Sequence, residues 1–299
     1  MLRSLLFIPG DSERKLSKGQ ESGADALVLD LEDSVAFDRK PIARSMVCEY
    51  LAAHLNSEGP ELWVRINPMG EGGLDDLVQV VRGSPVGLMV PKVDHPADLE
   101  KLSVMLDALE RREGLARQIR LLPVATETAK APFGLGAYCE AELPRLAALT
   151  WGAEDLSAAL GARTNRSSSG DLAFTYQMAR SLCLLAAKAA SVAAIETLYA
   201  DFRDEEGLKA SCADAAREGF SGRVAIHPAQ VQTINEAFTP TPAELEHARR
   251  IVAAFEASPG TGVVGIDGQM FDIPHLKQAR YVLEQAGAIR ARVGQAVAS

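Results

Sequence analysis

Cysteine is scarce in this chain and never paired at close spacing. Cys48, Cys139, Cys183 and Cys212 are scattered, no Cys-x-x-Cys occurs, and the five histidines stand far from them. The spacings of a zinc site are therefore absent, and the thiols read as packing residues of a protein from a reducing cytoplasm. Positive charge is also in deficit: 31 Lys and Arg face 40 Asp and Glu, a formal net charge of −9. That argues against a general nucleic-acid binder, while leaving room for a local basic pocket. Long hydrophobic runs are missing as well. The most membrane-like stretch, "SLCLLAAKAASVAAIETLY", is broken by Lys188 and Glu196 and reads as a buried helix followed by a strand. The opening "MLRSLLFIPGD" stops at Pro9-Gly10 without a small-residue cleavage site, so it reads as a first strand rather than a signal peptide. No Gly-x-Gly-x-x-Gly turn follows it, which counts against a doubly wound dinucleotide-binding sheet.

What the chain does have is alternation. Its 299 residues are 47% hydrophobic and 24% charged, enough for a sizeable core. Short apolar runs alternate with longer amphipathic ones in eight pairs. "LLFIPG", "ALVLDLED", "LWVRIN" and "GLMVPKV" precede helical patterns at Asp11–Ser22, Arg39–Leu55, Leu74–Val81 and Ala97–Arg112. "RLLPVATE" leads to a short segment near Tyr138 and Leu143, and "LAALTWGAED" to Leu172–Ala190. "AIETLYAD" and "RVAIHP" precede Glu205–Glu218 and Ala229–Phe238. Near-continuous apolar strands covered by helices imply a parallel sheet, and eight units match an α/β fold of the (β/α)₈ TIM-barrel type. The expected catalytic barrel is 1–238. The remainder, 239–299, reads as a C-terminal helical extension, with a Gly265/Gly268 turn region between two helices. Within the barrel only "RTNRSSSGD" resembles a flexible loop, its "SSSGD" reading as a helix start, and "GEGGL" reads as a loop and cap.

Barrel chemistry sits where strands end, on the C-terminal face. The polar residues there are Asp30, Glu32, Asp33, Arg65, Asn67, Lys92, Glu127, Glu154, Asp155 and His227. Glu127 and Asp155 close successive strands, and two carboxylates facing one small volume repel unless a cation or proton intervenes. Two oxygen ligands completed by water suit Mg²⁺. The alternative is that both acids cap the helices that follow. Arg65 admits either a structural ion pair with Glu32 or Asp33, or a clamp on a substrate carboxylate or enolate. Lys92 is expected to balance charge rather than form a Schiff base, and His227 to terminate its strand rather than bind metal.

These segments together resemble the citrate lyase β-subunit-like proteins of the HpcH/HpaI aldolase superfamily. The resemblance rests on "LLFIPGDSERKL", "ALVLDLEDSVA", "VRIN", "VPKV", "TET", "WGAEDLSAALG", "AIHPAQVQTINEAFTPTPAE" and "DGQMFDIPHLKQA". It implies a Mg²⁺-dependent carbon–carbon lyase on a (β/α)₈ barrel, assembled as a homotrimer or hexamer. It places the metal on Glu127 and Asp155, and substrate on Arg65 and on Glu127. Asp272 matches an acid–base aspartate that the malyl-CoA and citramalyl-CoA lyase branch delivers from a neighbouring subunit; otherwise it is a helix cap. Arg14, Lys15 and Lys18 are candidates for the phosphates of coenzyme A. "ETAKAPFGLG" departs from the family's shorter approach to glycine after "ET".

The implied activity is reversible cleavage of a 3-hydroxyacyl-CoA thioester, such as malyl-CoA or citramalyl-CoA, to acetyl-CoA and a 2-oxo acid. The alternatives are a citrate lyase β subunit acting on an acyl-carrier-bound substrate and a pyruvate-type class II aldolase without CoA. No nucleic-acid or membrane partner is expected.

Overall fold

The computed structural model describes residues 1–55 and 57–297, with side chains through residue 292. Eight strands run parallel: β1 (Ser4–Pro9), β2 (Ala26–Asp30), β3 (Glu61–Arg65), β4 (Gly87–Val90), β5 (Arg120–Pro123), β6 (Ala148–Thr150), β7 (Ala193–Glu196) and β8 (Gly222–Ala225). Their order in the sheet is β5-β4-β3-β2-β1-β8-β7-β6. Parallel bridges Leu121↔Leu146 and Val124↔Thr150 join the two ends, so the sheet closes on itself. This is the (β/α)₈ barrel that the alternation implies.

One face of the strands fills the barrel interior with Leu5, Ala26, Val28, Trp63, Met89, Leu122, Val124, Ala148, Ile195 and Val224. Trp63 fits there because Gly87 on the next strand has no side chain; a Cβ on Gly87 would lie 2.3 Å from the indole. The opposite face, including Leu6, Leu27, Leu29 and Leu88, is equally buried. Two-sided burial is why these strands read as unbroken apolar runs rather than as alternating ones.

The covering helices are α1 (Glu13–Gly19), α2 (Lys40–Ala53), α3 (Gly73–Val80), α4 (Pro96–Glu113), α5 (Ala131–Gly134), α6 (Ala153–Ala159), α7 (Phe174–Ala189), α8 (Glu205–Glu218) and α9 (Ala229–Ala237). Two departures from the sequence reading follow from local chemistry. The segment after β5 is a single α-turn, α5, with Pro132 in its first turn where the missing N–H costs nothing, and it tightens into a 3₁₀ stretch over Leu135–Cys139. "SSSGD" does not start α7, whose N-cap is Ala173. Instead Arg166 bridges Leu172, and Ser167 N–H donates to Asp171 O, so this stretch is the tip of a small antiparallel turn. Among the thiols, Cys183 and Cys212 are buried packing residues as expected, whereas Cys48 is half-buried and Cys139 exposed.

The β5–β6 closure is reinforced beneath the barrel by Arg145, whose side chain is 1% exposed. It donates to Glu110 Oε1 at 2.6 Å, to Glu110 Oε2 at 2.7 Å, to Ile119 O at 2.9 Å, and to Asp107.

The chain divides into two compact units, one spanning Leu2–Asn235 and the other beginning at Glu236. The second contains α10 (Pro242–Glu256), β9 (Val263–Ile266), β10 (Gln269–Asp272) and α11 (Ile273–Val297). A reciprocal capping box between Thr241 and Glu244 starts α10. Asp267 and Gly268, both at positive φ, turn the antiparallel β9–β10 hairpin. Ile251, Phe255, Val264, Phe271 and Leu276 form this unit's own core. Among the described residues no helix is long and apolar enough to cross a membrane; the suspect stretch is α7 followed by β7.

Candidate active site

A cavity of about 720 Å³ lies within the barrel unit, lined by Asp30, Asp33, Arg65, Glu127, Glu154, Asp155 and His227 among its polar residues. Phe7, Met89, Val124 and Val224 form apolar wall. Each of these polar groups comes from a strand end, the turn just after one or, for Glu154 and Asp155, the first turn of the following helix, so the topology itself gathers them.

The register sets Asp30 opposite Arg65 on β2 and β3. Arg65 Nε donates to Asp30 Oδ1 and Nη2 to Asp30 Oδ2, both at 2.7 Å. Asp30 also accepts from the N–H of Glu32 and of Ser34, forming the turn that ends β2. Burial pushes the Asp30 carboxyl up, but the hydrogen bonds and charge of Arg65 outweigh it and hold Asp30 below the usual carboxylate range. Arg65 Nη1 lies 2.9 Å from Glu32 Oε2 and 3.6 Å from Asp33. Its guanidinium also covers the Phe7 ring at 4.6 Å. The structural ion pair foreseen with Glu32 or Asp33 thus exists, but its main partner is Asp30.

Glu127 follows β5 and is 5% exposed. Its Oε2 accepts from the Lys92 backbone N–H at 2.6 Å. Burial first, then the charge of Asp155, push the Glu127 carboxyl up to about 8. Asp155 stands in the first turn of α6, whose N-cap Gly152 makes no side-chain hydrogen bond. Neither acid is a helix cap: Glu127 is held by a backbone amide of the neighbouring strand end, and it is Thr128 Oγ1 that accepts from Ala131 N–H at the start of α5. Gly152 lies against Glu127, and a Cβ there would sit 2.7 Å from Glu127 Cγ.

Lys92 Nζ donates to Glu32 Oε1 at 2.8 Å and lies 3.8 Å from Asp155 Oδ1. The charge-balancing role foreseen for it fits that position. Glu32 is buried and its carboxyl is pushed up by burial; its Oε2 meets Arg65 Nη1 as an ion pair, without hydrogen-bond alignment. The two cations in close contact with these acids are Arg65 and Lys92, against Asp30, Glu32, Asp33, Glu127 and Asp155, a formal excess of three negative charges within that cluster. A dication fits this donor set. Among the described residues no group of three or more His, Cys, Asp and Glu is gathered to hold a metal. Two carboxylates with water in the remaining positions are what Mg²⁺ accepts.

Not every strand-end residue joins the cavity. Asn67 is drawn away from it: its amide is tied between Leu31 O and Asp76, and Lys40 donates to its oxygen. His227 does line the cavity, stacking on Phe202 at 4.6 Å and accepting from Ala229 N–H at the start of α9. Arg14, Lys15 and Lys18 also line it. Asp272 belongs to the C-terminal unit, at the β10–α11 junction, where its Oδ1 and His275 Nδ1 are 2.5 Å apart. That contact foremost holds the exposed Asp272 carboxyl below its usual range.

Strand-end sequence did not reveal Gly152, the Lys92 N–H or Glu196. Glu196 closes β7, accepts from Trp151 Nε1 at 2.5 Å and Arg180 Nε at 2.6 Å, and so fixes a cavity wall. "AIETLY" carried that signal, since an acid between Ile195 and Thr197 also ends an apolar run.

A closed parallel barrel that gathers acids, an arginine and a lysine at the ends of its strands has the layout of a barrel enzyme's active site, and the reaction class comes from the comparison with known proteins. The model of the HpcH/HpaI aldolase/citrate lyase family matches residues 3–228. The chain belongs to this family of carbon–carbon lyases. It is 37% identical to a (3S)-malyl-CoA thioesterase of Cereibacter sphaeroides over 292 residues, covering 97% of this chain and 96% of that one. It is 34% identical to the mitochondrial citramalyl-CoA lyase of Rattus norvegicus, covering 96% and 87%. Among solved structures it is similar to CitE from Mycobacterium tuberculosis in complex with magnesium, acetoacetate and coenzyme A. The TM-score is 0.75 and the identity 31%, over 95% of this chain and 98% of that one.

Proposed function

We propose that the chain is a Mg²⁺-dependent lyase that cleaves, or in reverse forms, a 3-hydroxyacyl-CoA such as malyl-CoA or citramalyl-CoA, giving acetyl-CoA and a 2-oxo acid. The observation that carries this is the pair Glu127 and Asp155 on one cavity, with Glu127 burdened by burial and by the charge of Asp155. Mg²⁺ bound there supplies a Lewis acid for the oxygens of the 2-oxo acid portion. The similarity to a CitE structure holding magnesium and coenzyme A, and to enzymes acting on malyl-CoA and citramalyl-CoA, supports both the ion and the thioester.

The chain's own groups divide the remaining work. Arg65, locked by Asp30 into one orientation, keeps N–H groups for the charge that develops on the thioester enolate. Glu127, besides holding the ion, bounds the space for the 2-oxo acid. Arg14, Lys15 and Lys18 offer positive charge to the coenzyme's phosphates. Asp272, ionised and exposed, is the proposed acid–base group, delivered by a neighbouring copy in a homotrimer or hexamer. The barrel 1–238 would then carry binding and the extension 239–299 the proton transfer.

The test is product analysis of the purified chain with malyl-CoA and citramalyl-CoA, with Mg²⁺ or EDTA. Acetyl-CoA and 2-oxo acid in equal amounts, lost in EDTA, is the expected result. The 37% identity to a thioesterase favours a second reading, hydrolysis of the thioester; free CoA with an intact hydroxy acid would establish it instead. Turnover only of an acyl-carrier-bound substrate would move the chain to the citrate lyase role, and turnover of a free hydroxy acid to a CoA-independent aldolase.

A further inference from the structure

Lys92 follows Pro91 just beyond β4, with φ at +52°, in the left-handed region that side chains other than glycine's seldom occupy. This turn lets one residue serve three acids. Its backbone N–H donates to Glu127 Oε2 at 2.6 Å, and its ammonium donates to Glu32 Oε1 at 2.8 Å while standing 3.8 Å from Asp155 Oδ1. The two side-chain contacts are unequal. Glu32 is 4% exposed and closely bound, whereas Asp155 is 33% exposed and held at the longer distance. Glu32 is therefore the acid that retains the ammonium, and Asp155 the one that can be released.

We propose that Lys92 is a built-in placeholder cation: before a divalent ion arrives, its ammonium shields Asp155 while its N–H keeps Glu127 in place, and on arrival of the ion Asp155 passes from ammonium to metal. Lys92 is thus a positioning residue that also competes with the ion. The inference rests on the reading of Glu127 and Asp155 as the ion's ligands. It predicts an effect opposite to that of an ordinary site residue, because removing Lys92 leaves the acids more negative and takes away a like charge facing the ion.

The experiment is calorimetric titration of Mg²⁺ into the substrate-free full-length chain, with thermal melting in EDTA and in Mg²⁺. Lys92→Met should bind Mg²⁺ at least about tenfold more tightly than wild type. It should melt lower in EDTA and recover in Mg²⁺. Lys92→Arg, which keeps the charge, should restore wild-type affinity. Lys92→Gly suits the backbone turn and keeps the N–H, so it should repeat the tighter binding even if the Met variant fails to fold. Wild-type or weaker Mg²⁺ affinity in both Lys92→Met and Lys92→Gly overturns the proposal. Absence of Mg²⁺ binding by the wild-type chain overturns the ligand reading of Glu127 and Asp155 instead.

Discussion

Replacing Gly152 by alanine adds one methyl group beside the proposed ion site and changes no charge. The backbone of Gly152 is extended, φ −120° and ψ 115°, a conformation alanine adopts without strain. Its N–H donates to Thr126 Oγ1 at 3.1 Å, and alanine retains that bond. The new Cβ, however, would stand 2.7 Å from Glu127 Cγ, 3.2 Å from its Oε1 and 3.3 Å from Val124 Cγ1. Carbon atoms rest at roughly 3.5–4.0 Å, so Glu127 must retreat by about 1 Å. Its space is limited, because the residue is buried and its other oxygen is fixed by the Lys92 N–H. Overpacking of this kind costs about 1–3 kcal/mol of stability. A 1 Å misplacement of a positioning group costs on the order of 10²-fold in rate. Gly152→Ala should therefore fold, melt a few degrees lower, bind Mg²⁺ more weakly and turn over on the order of 10²-fold more slowly. Circular dichroism, Mg²⁺ calorimetry and the acetyl-CoA assay measure these separately. A well-folded variant with wild-type Mg²⁺ affinity and rate would show that the position of Glu127 does not matter.

Two other outcomes follow from the charges. A carboxyl raised from 4.5 to about 8 favours the folded metal-free chain fully below 4.5, and that contribution is lost as the pH rises through about 8. Mg²⁺ must displace the proton, so its apparent affinity should rise about tenfold per pH unit up to about 8 and then level off. Calorimetry in buffers of different ionisation enthalpy should detect close to one proton released at pH 7; none released would refute the Glu127 assignment. Arg145→Ala would strand the buried Glu110 carboxylate and loosen the strand closure, costing about 3–5 kcal/mol in denaturant unfolding with Mg²⁺ affinity little changed in the folded fraction. A loss under 1 kcal/mol would mean that this ion pair contributes little.

The barrel was legible because each strand is buried on both faces, so Leu27–Leu29 or Leu121–Val124 stand out as apolar runs against their helices. The acids at the strand ends were legible for the same reason, since a carboxylate terminating such a run has to be explained. Less accessible was whatever depends on pairing across the sheet. The sequence offered Glu32 or Asp33 as partners for Arg65, and both lie near it, but the register sets Asp30 opposite it and makes Asp30 the main partner. Nor does "VPKV" announce a left-handed lysine, because φ at Lys92 answers to a carboxylate 35 residues away. The one-turn α5 was obscured because Pro132 and Gly134 also suit a plain loop.

Among the described residues the barrel closes between β5 and β6 through two bridge pairs, and Glu127 and Asp155 emerge just beyond them, one from each side. An ion gripped by both would act as a clasp across the last joint of the cylinder. Filling the active centre and fastening the hoop would then be a single event.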